Sequence, residues 1–143
     1  MGVDKKSSGV KTPAWRVLIT DDSLITRMFL KNMLESNGYT VVGEAKNAQE
    51  ALDLYKETRP DFTTMDMNMP DSSGLEAIKS ICEFDGEARF IIISAVDQKL
   101  VRDQYAHIGA CEYVPKPAEW SKLAAAIARL SKKIVSKSPE SES

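Results

Sequence analysis

Asp21 and Asp22, then Asp66, Ser94 and Lys116, each stand at or just past the end of a short apolar run: RVLIT before the aspartate pair, FTTM before Asp66, FIII before Ser94, and EYV ahead of Pro115 and Lys116. If those runs are parallel strands of one sheet, their carboxyl ends share an edge, and ligands collect in the crevice outside it. Three carboxylates, a hydroxyl and an ammonium would then meet in one place. Singly, each has an ordinary explanation, since Asp22 or Ser23 can cap a helix, Ser94 can end a strand and Lys116 can be a surface lysine. Together they form a chemical set. Carboxylates forced together raise one another's pKa unless a cation neutralises them. Oxygen donors without nitrogen or sulfur suit Mg2+, which keeps several waters and takes one or two carboxylates plus phosphate oxygens. An aspartate is ordinarily a carboxylate at neutral pH, so an attack on a phosphoryl group from Asp66 needs no separate base. Such a transfer requires in-line positioning and compensation of charge on the transferring oxygens, for which Mg2+, Lys116 and the Ser94 hydroxyl are available.

Stretches that could position these residues alternate five times between strand length and helical period. Arg16 to Thr20 is followed by a helix from Ser23 to Asn37 with an apolar face through Ile25, Phe29 and Met33, widened by Met28, Leu30 and Leu34, and stopped by Gly38. Thr40 to Ala45 is a short, Gly-interrupted strand of edge character. Asn47 with Glu50 has capping-box spacing for a helix that buries Ala51, Leu52 and Tyr55 and ends at Pro60. After Phe62 to Asp66, the residues Asn68, Met69 and Pro70 turn the chain away, and Leu75, Ile78, Ile81 and Cys82 mark a helix from Gly74 to about Phe84. Phe90 to Ile93 has the unbroken apolar character of a strand covered on both faces. Leu100, Val101, Tyr105 and Ile108 mark a fourth helix closed by Gly109. Glu112 to Val114 is the last strand, placed at a sheet edge by Pro115, and Trp120, Leu123, Ile127, Leu130 and Ile134 line the final helix. The pattern is (βα)5, an α/β fold with a parallel sheet wound by helices on both faces.

The chain of 143 residues has room for one well-buried core. We expect one domain over residues 15–134, with disordered tails at 1–14 and 135–143 where polar, lysine- and serine-bearing sequence dominates. A net charge of -2 gives no broad attraction to nucleic acid. Cys82 and Cys111 form neither a disulfide framework nor a zinc motif, and no signal-peptide core or membrane-length apolar run is present. The expectation is a cytoplasmic monomer that engages neither membrane nor nucleic acid.

From about Arg16 to Ser131 the chain resembles the receiver domains of two-component response regulators, most closely the stand-alone CheY-like kind. The resemblance is carried by Asp21-Asp22, by MDMNMPDSSGLEAI from Met65 to Ile78, by Ser94-Ala95 and by Lys116-Pro117. It implies a flavodoxin-like sheet in the order 2-1-3-4-5, the order the CheY example is known for. It further implies phosphorylation of Asp66 by a histidine kinase of the CheA kind, with Mg2+ held by Asp21, Asp22, Asp66 and the Asn68 backbone carbonyl. Ser94 would hydrogen-bond the phosphoryl group, Lys116 would be its charge partner through a cis Lys116-Pro117 bond, and Tyr113 would be the switch aromatic. Tyr113 can equally be an edge-strand aromatic that is simply buried. The resemblance also links the positions of Asn68 and Val96 to the dephosphorylation rate. The responsive face would comprise the fourth helix, fifth strand and fifth helix, binding a flagellar-motor switch or other target protein, with a phosphatase as a further partner.

Two other functions fit less of the sequence. A phosphorelay intermediate would pass the group on to a histidine phosphotransfer protein. An Asp-nucleophile phosphatase of the haloacid-dehalogenase type would want an acid two residues after the nucleophile, where Asn68 stands. A receiver that only binds is disfavoured by the complete set of five site residues. Trp120 reads as helix packing and His107 as a surface residue.

Overall fold

Strands without polar alternation need cover on both faces, and four of the five strands here are buried along nearly their whole length. The computed structural model describes residues 15–69, 74–95, 99, 102–103 and 110–142. Its strands are β1 (Arg16–Thr20), β2 (Thr40–Ala45), β3 (Phe62–Asp66), β4 (Arg89–Ser94) and β5 (Ala110–Pro115), all parallel in the order β2-β1-β3-β4-β5. The half-exposed β2 and the proline-ended β5 are the two edges, as their residues demand. β3, which carries Asp66, is central.

The twofold period of the strands sorts their side chains into two cores. Leu18, Met65, Phe90 and Ile92 face the helices α2 (Ala48–Thr58) and α3 (Gly74–Phe84), where they meet Ala51, Tyr55, Ala77, Ile78 and Ile81. On the other face, Val17, Ile19, Phe62, Ile91 and Ile93 meet Leu30 and Leu34 of α1 (Leu24–Ser36) and Leu123, Ile127 and Leu130 of the final helix, here α4 (Trp120–Glu142). Trp120 packs on this second core beside Tyr39, with ring centroids 6.1 Å apart. Among the described residues, no helix is long and apolar enough to cross a membrane.

Local signals fix the helix ends. The Ser23 hydroxyl accepts from the Thr26 N–H at 3.2 Å, which caps α1. At its other end Gly38 takes φ 93°, and the Gly38 and Tyr39 N–H groups bond back to the Glu35 and Leu34 carbonyls, a glycine-dependent stop. Asn47 caps α2 through the Glu50 N–H, and Glu50 reaches back to the Lys46 N–H, one residue before the cap.

One sequence expectation needs correction. Leu30 and Leu34 are the buried residues of α1, whereas Leu24, Ile25, Met28 and Phe29 are 54–76% exposed. Apolar residues occupy more of this helix than one sheet face can cover, and Leu30 and Leu34, one turn apart, take the contact. The final helix runs from Trp120 to Glu142. Extending a formed helix fixes little backbone per added bond, and lysine and glutamate are good helix formers. The expected N-terminal tail, Pro70 to Ser73, Val96, His107 and most of the expected fourth helix lie outside the described residues.

Thr20, Thr63 and Thr64 bury hydroxyls that have no protein hydrogen-bond partner among the described residues. In β3, Thr63 sits between Leu18 and Phe90, where valine would keep the shape and remove the desolvated hydroxyl. Thr63→Val should therefore raise unfolding stability by about 1 kcal/mol, read from the urea midpoint. A loss of stability would contradict this assignment.

Candidate functional site

The end of β3 holds Asp66 2% exposed, with two bonds on one oxygen: Oδ1 accepts the Asn68 N–H at 3.0 Å and the Lys116 ammonium at 2.8 Å. The first is a local Asx-type turn, which sets the carboxylate as the chain leaves the sheet. The Met67 N–H bonds across to the Ile93 carbonyl at 3.3 Å. When the chain returns as α3, it passes so close that a Cβ on Gly74 would lie 2.9 Å from the Asp66 carbonyl oxygen and collide with the Met67 side chain. Only glycine allows that approach without displacement.

Asp21, at the end of β1, is as buried as Asp66 and is fixed at three points. Its N–H bonds the Ala45 carbonyl at 3.0 Å, its Oδ1 accepts the Ser23 N–H at 2.8 Å, and its carbonyl accepts from the Arg27 guanidinium at 2.8 Å. Asp22 beside it is exposed. One carboxylate oxygen from each of Asp21, Asp22 and Asp66 lies within 4.8 Å of the others. Lys116 follows β5, its N–H bonded to the Ser94 carbonyl at 3.0 Å and its peptide bond to Pro117 cis. Ser94 itself is fully buried.

Burial is the main reason that the Asp21 carboxyl sits above the ordinary carboxylate range. The Ser23 hydrogen bond opposes that rise, Asp66 adds to it, Lys116 opposes it, and Asp22 adds a smaller repulsion. Two buried carboxylates and a third at the rim, with one ammonium among them, carry excess negative charge. Such an oxygen-only donor set fits a hard divalent cation such as Mg2+, and Asp21, Asp22 and Asp66 are the side chains that would hold it.

The structure thus gathers Asp21, Asp22, Asp66 and Lys116, with Ser94 adjoining through the Lys116 backbone. Tyr113 is buried in the core that faces α2 and α3, with the Arg102 guanidinium 5.0 Å from its ring centre. Two features escaped the sequence reading. Arg27 is joined to the site through the Asp21 carbonyl, and its signal was to be the single charge in the apolar turn LITRMFL. The exposed row on α1 also borders a groove of about 450 Å3, in which Ile25, Phe29 and Leu30 face Lys116 and Pro117.

Residues 17–128 match the family described as the response regulator receiver domain. Chemotaxis protein CheY of Thermotoga maritima is 41% identical over 82% of this chain and 98% of its own length, and CheY of Bacillus subtilis is 40% identical over 80% and 95%. Among solved structures, a CheX-CheY-BeF3-Mg2+ complex from Borrelia burgdorferi matches at 33% identity with a TM-score of 0.75, covering 81% of this chain and 88% of the other.

Because folding raises the Asp21 pKa, the native chain holds that proton more tightly than the unfolded chain does. Stability therefore falls as pH rises from the ordinary carboxylate range through the raised value, and ionised Asp21 is a cost at neutral pH. In a chelator at pH 7, Asp21→Asn should melt a few degrees higher than the wild type, with the gap closing on acidification. Adding Mg2+ should raise the melting temperature of the wild type and leave the variant unmoved. Equal melting of the two proteins under all these conditions would contradict the charge-crowding account.

Proposed function

The chain belongs to the response regulator receiver domain family, and from that premise we propose that it is a CheY-like signalling switch, phosphorylated on Asp66 by a histidine kinase. The observation that carries this reading is the Asp66 carboxylate held at 2.8 Å by Lys116 within 4.8 Å of the Asp21 and Asp22 oxygens. In the transfer, an Asp66 oxygen bonds phosphorus as the phosphorus–nitrogen bond of the donor phosphohistidine breaks, and the bonding pair leaves on the imidazole. Mg2+ supplies compensation for the charge on the transferring oxygens when it is bound. Asp21, Asp22 and Asp66 would hold that ion, with the Asn68 carbonyl as the backbone contributor. The Asn68 N–H keeps the Asp66 carboxylate aimed out of the sheet end. Lys116, already on Oδ1, moves its bond to a phosphoryl oxygen as the carboxylate loses its charge in the acyl phosphate.

The response is a shift between existing states, driven by contacts that only the phosphorylated form offers. Ser94 and Lys116 are linked by a backbone hydrogen bond, so a phosphoryl group drawing on both side chains pulls on β4 and β5 together. Tyr113, three residues before Lys116 on β5, carries that pull toward the face formed by β5, its flanking helix α4 and the segment holding Arg102. That face is the surface for a target protein. Likeness to CheY proteins of chemotaxis favours a motor-switch or other chemotaxis partner, and the Borrelia complex pairs a CheY with a CheX protein.

The donor must bring a phosphohistidine to Asp66, and the exposed α1 row supports an approach from that side. Leu24, Ile25, Met28 and Phe29 form an uncovered apolar surface that continues through the groove to Lys116, suited to an apolar helix of the kinase domain that carries the histidine. Ile25→Asp and Phe29→Asp should lower the rate of transfer from a phosphorylated kinase domain, relative to the rate from acetyl phosphate, roughly tenfold or more. An unchanged ratio of the two rates would remove α1 from the donor interface. Failure of the wild type to accept from either donor would overturn the function itself.

A further inference from the structure

Arg27 is a charged side chain only 12% exposed, set in the inner half of α1 and used twice. One terminal nitrogen donates to the Asp21 carbonyl at 2.8 Å, and Nε donates to Glu44 Oε1 at 3.0 Å, on the edge strand β2. β2 meets Asp21 a second time, since the Ala45 carbonyl takes the Asp21 N–H. Both peptide groups of Asp21 are therefore tied to neighbouring elements, and its carboxylate is tied to Ser23. A planar guanidinium can serve two acceptors in fixed directions, which a lysine ammonium on a flexible stem cannot.

We propose that Arg27 is a positioning residue for the divalent cation: by clamping the Asp21 backbone between α1 and β2 it pre-sets the direction of the Asp21 carboxylate, and so governs Mg2+ affinity without touching the ion. This rests on the proposed metal role of Asp21, Asp22 and Asp66. Groups behind a ligand commonly change metal affinity by tens of fold when removed, because orientation must otherwise be restored at the moment of binding. Charge alone predicts the opposite sign. Removing a cation near three carboxylates strengthens their attraction for Mg2+, whereas loss of the clamp weakens binding.

The test is Mg2+ titration by calorimetry of the full, unphosphorylated chain, comparing wild type, Arg27→Ala, Arg27→Lys and Leu34→Ala, each with its melting temperature. Leu34→Ala removes buried apolar contact from the same helix and serves as a control for stability. Arg27→Ala should weaken Mg2+ binding roughly tenfold, and Arg27→Lys, which retains the charge, should weaken it by a smaller but clear factor. Leu34→Ala should bind as the wild type does. If Arg27→Ala does not fold, Arg27→Lys carries the test. Wild-type or tighter affinity in the Arg27 variants overturns the inference, as does an equal loss in Leu34→Ala. A wild type that binds no Mg2+, like an Asp21→Asn control, overturns the metal reading along with it.

Discussion

Repulsion among carboxylates at one end of a parallel sheet is the constraint on which the rest of this molecule depends. Asp21 and Asp66 are each only 2% exposed, and Asp22 stands at their rim. Water cannot screen such charges well, so the fold must hold them together by other means. Parallel strands project them from one sheet end, Asn68 and Ser23 give hydrogen bonds to the two buried carboxylates, and Lys116 supplies one positive charge. The remaining excess favours a divalent cation. Stability is given up at the place where chemistry needs charge, a familiar division between scaffold and site.

The scaffold that bears this strain is correspondingly ordinary. β3 is flanked on both sides by buried strands, and helices on both faces bury Phe62, Met65, Phe90 and the isoleucines of β4. Arg129 on α4 pairs with the buried Glu112 of β5 at 2.6 Å, which ties the last helix to the strand that delivers Lys116. Gly74 lets α3 start directly against the Asp66 peptide. These contacts make the position of Asp66 a property of the whole sheet and not of one loop.

Much of this was legible in the sequence. FIII and RVLIT have the apolar continuity that only covered strands require, and the proline after Val114 placed β5 at an edge. The capping residues Ser23 and Asn47 and the stop at Gly38 marked helix ends because each acts through local hydrogen bonds. The gathering of Asp21, Asp22, Asp66 and Lys116 followed from strand ends sharing an edge. What was not legible depended on tertiary choice. α1 offers more apolar residues than the sheet can cover, so the period alone could not decide that Leu30 and Leu34 go inward while Ile25 and Phe29 stay out. Arg27 bonds to a backbone carbonyl, an acceptor every residue possesses, so no spacing announces it.

The most direct measurement is to incubate the chain with acetyl phosphate, with and without Mg2+, to count added phosphoryl groups by intact mass, and to map their site by borohydride reduction, which expels the phosphate and leaves homoserine in place of the modified aspartate. The account predicts one group, on Asp66, dependent on Mg2+ and absent from Asp66→Asn. A group found on another residue, or none under rapid sampling with either this donor or a phosphorylated kinase, would contradict it.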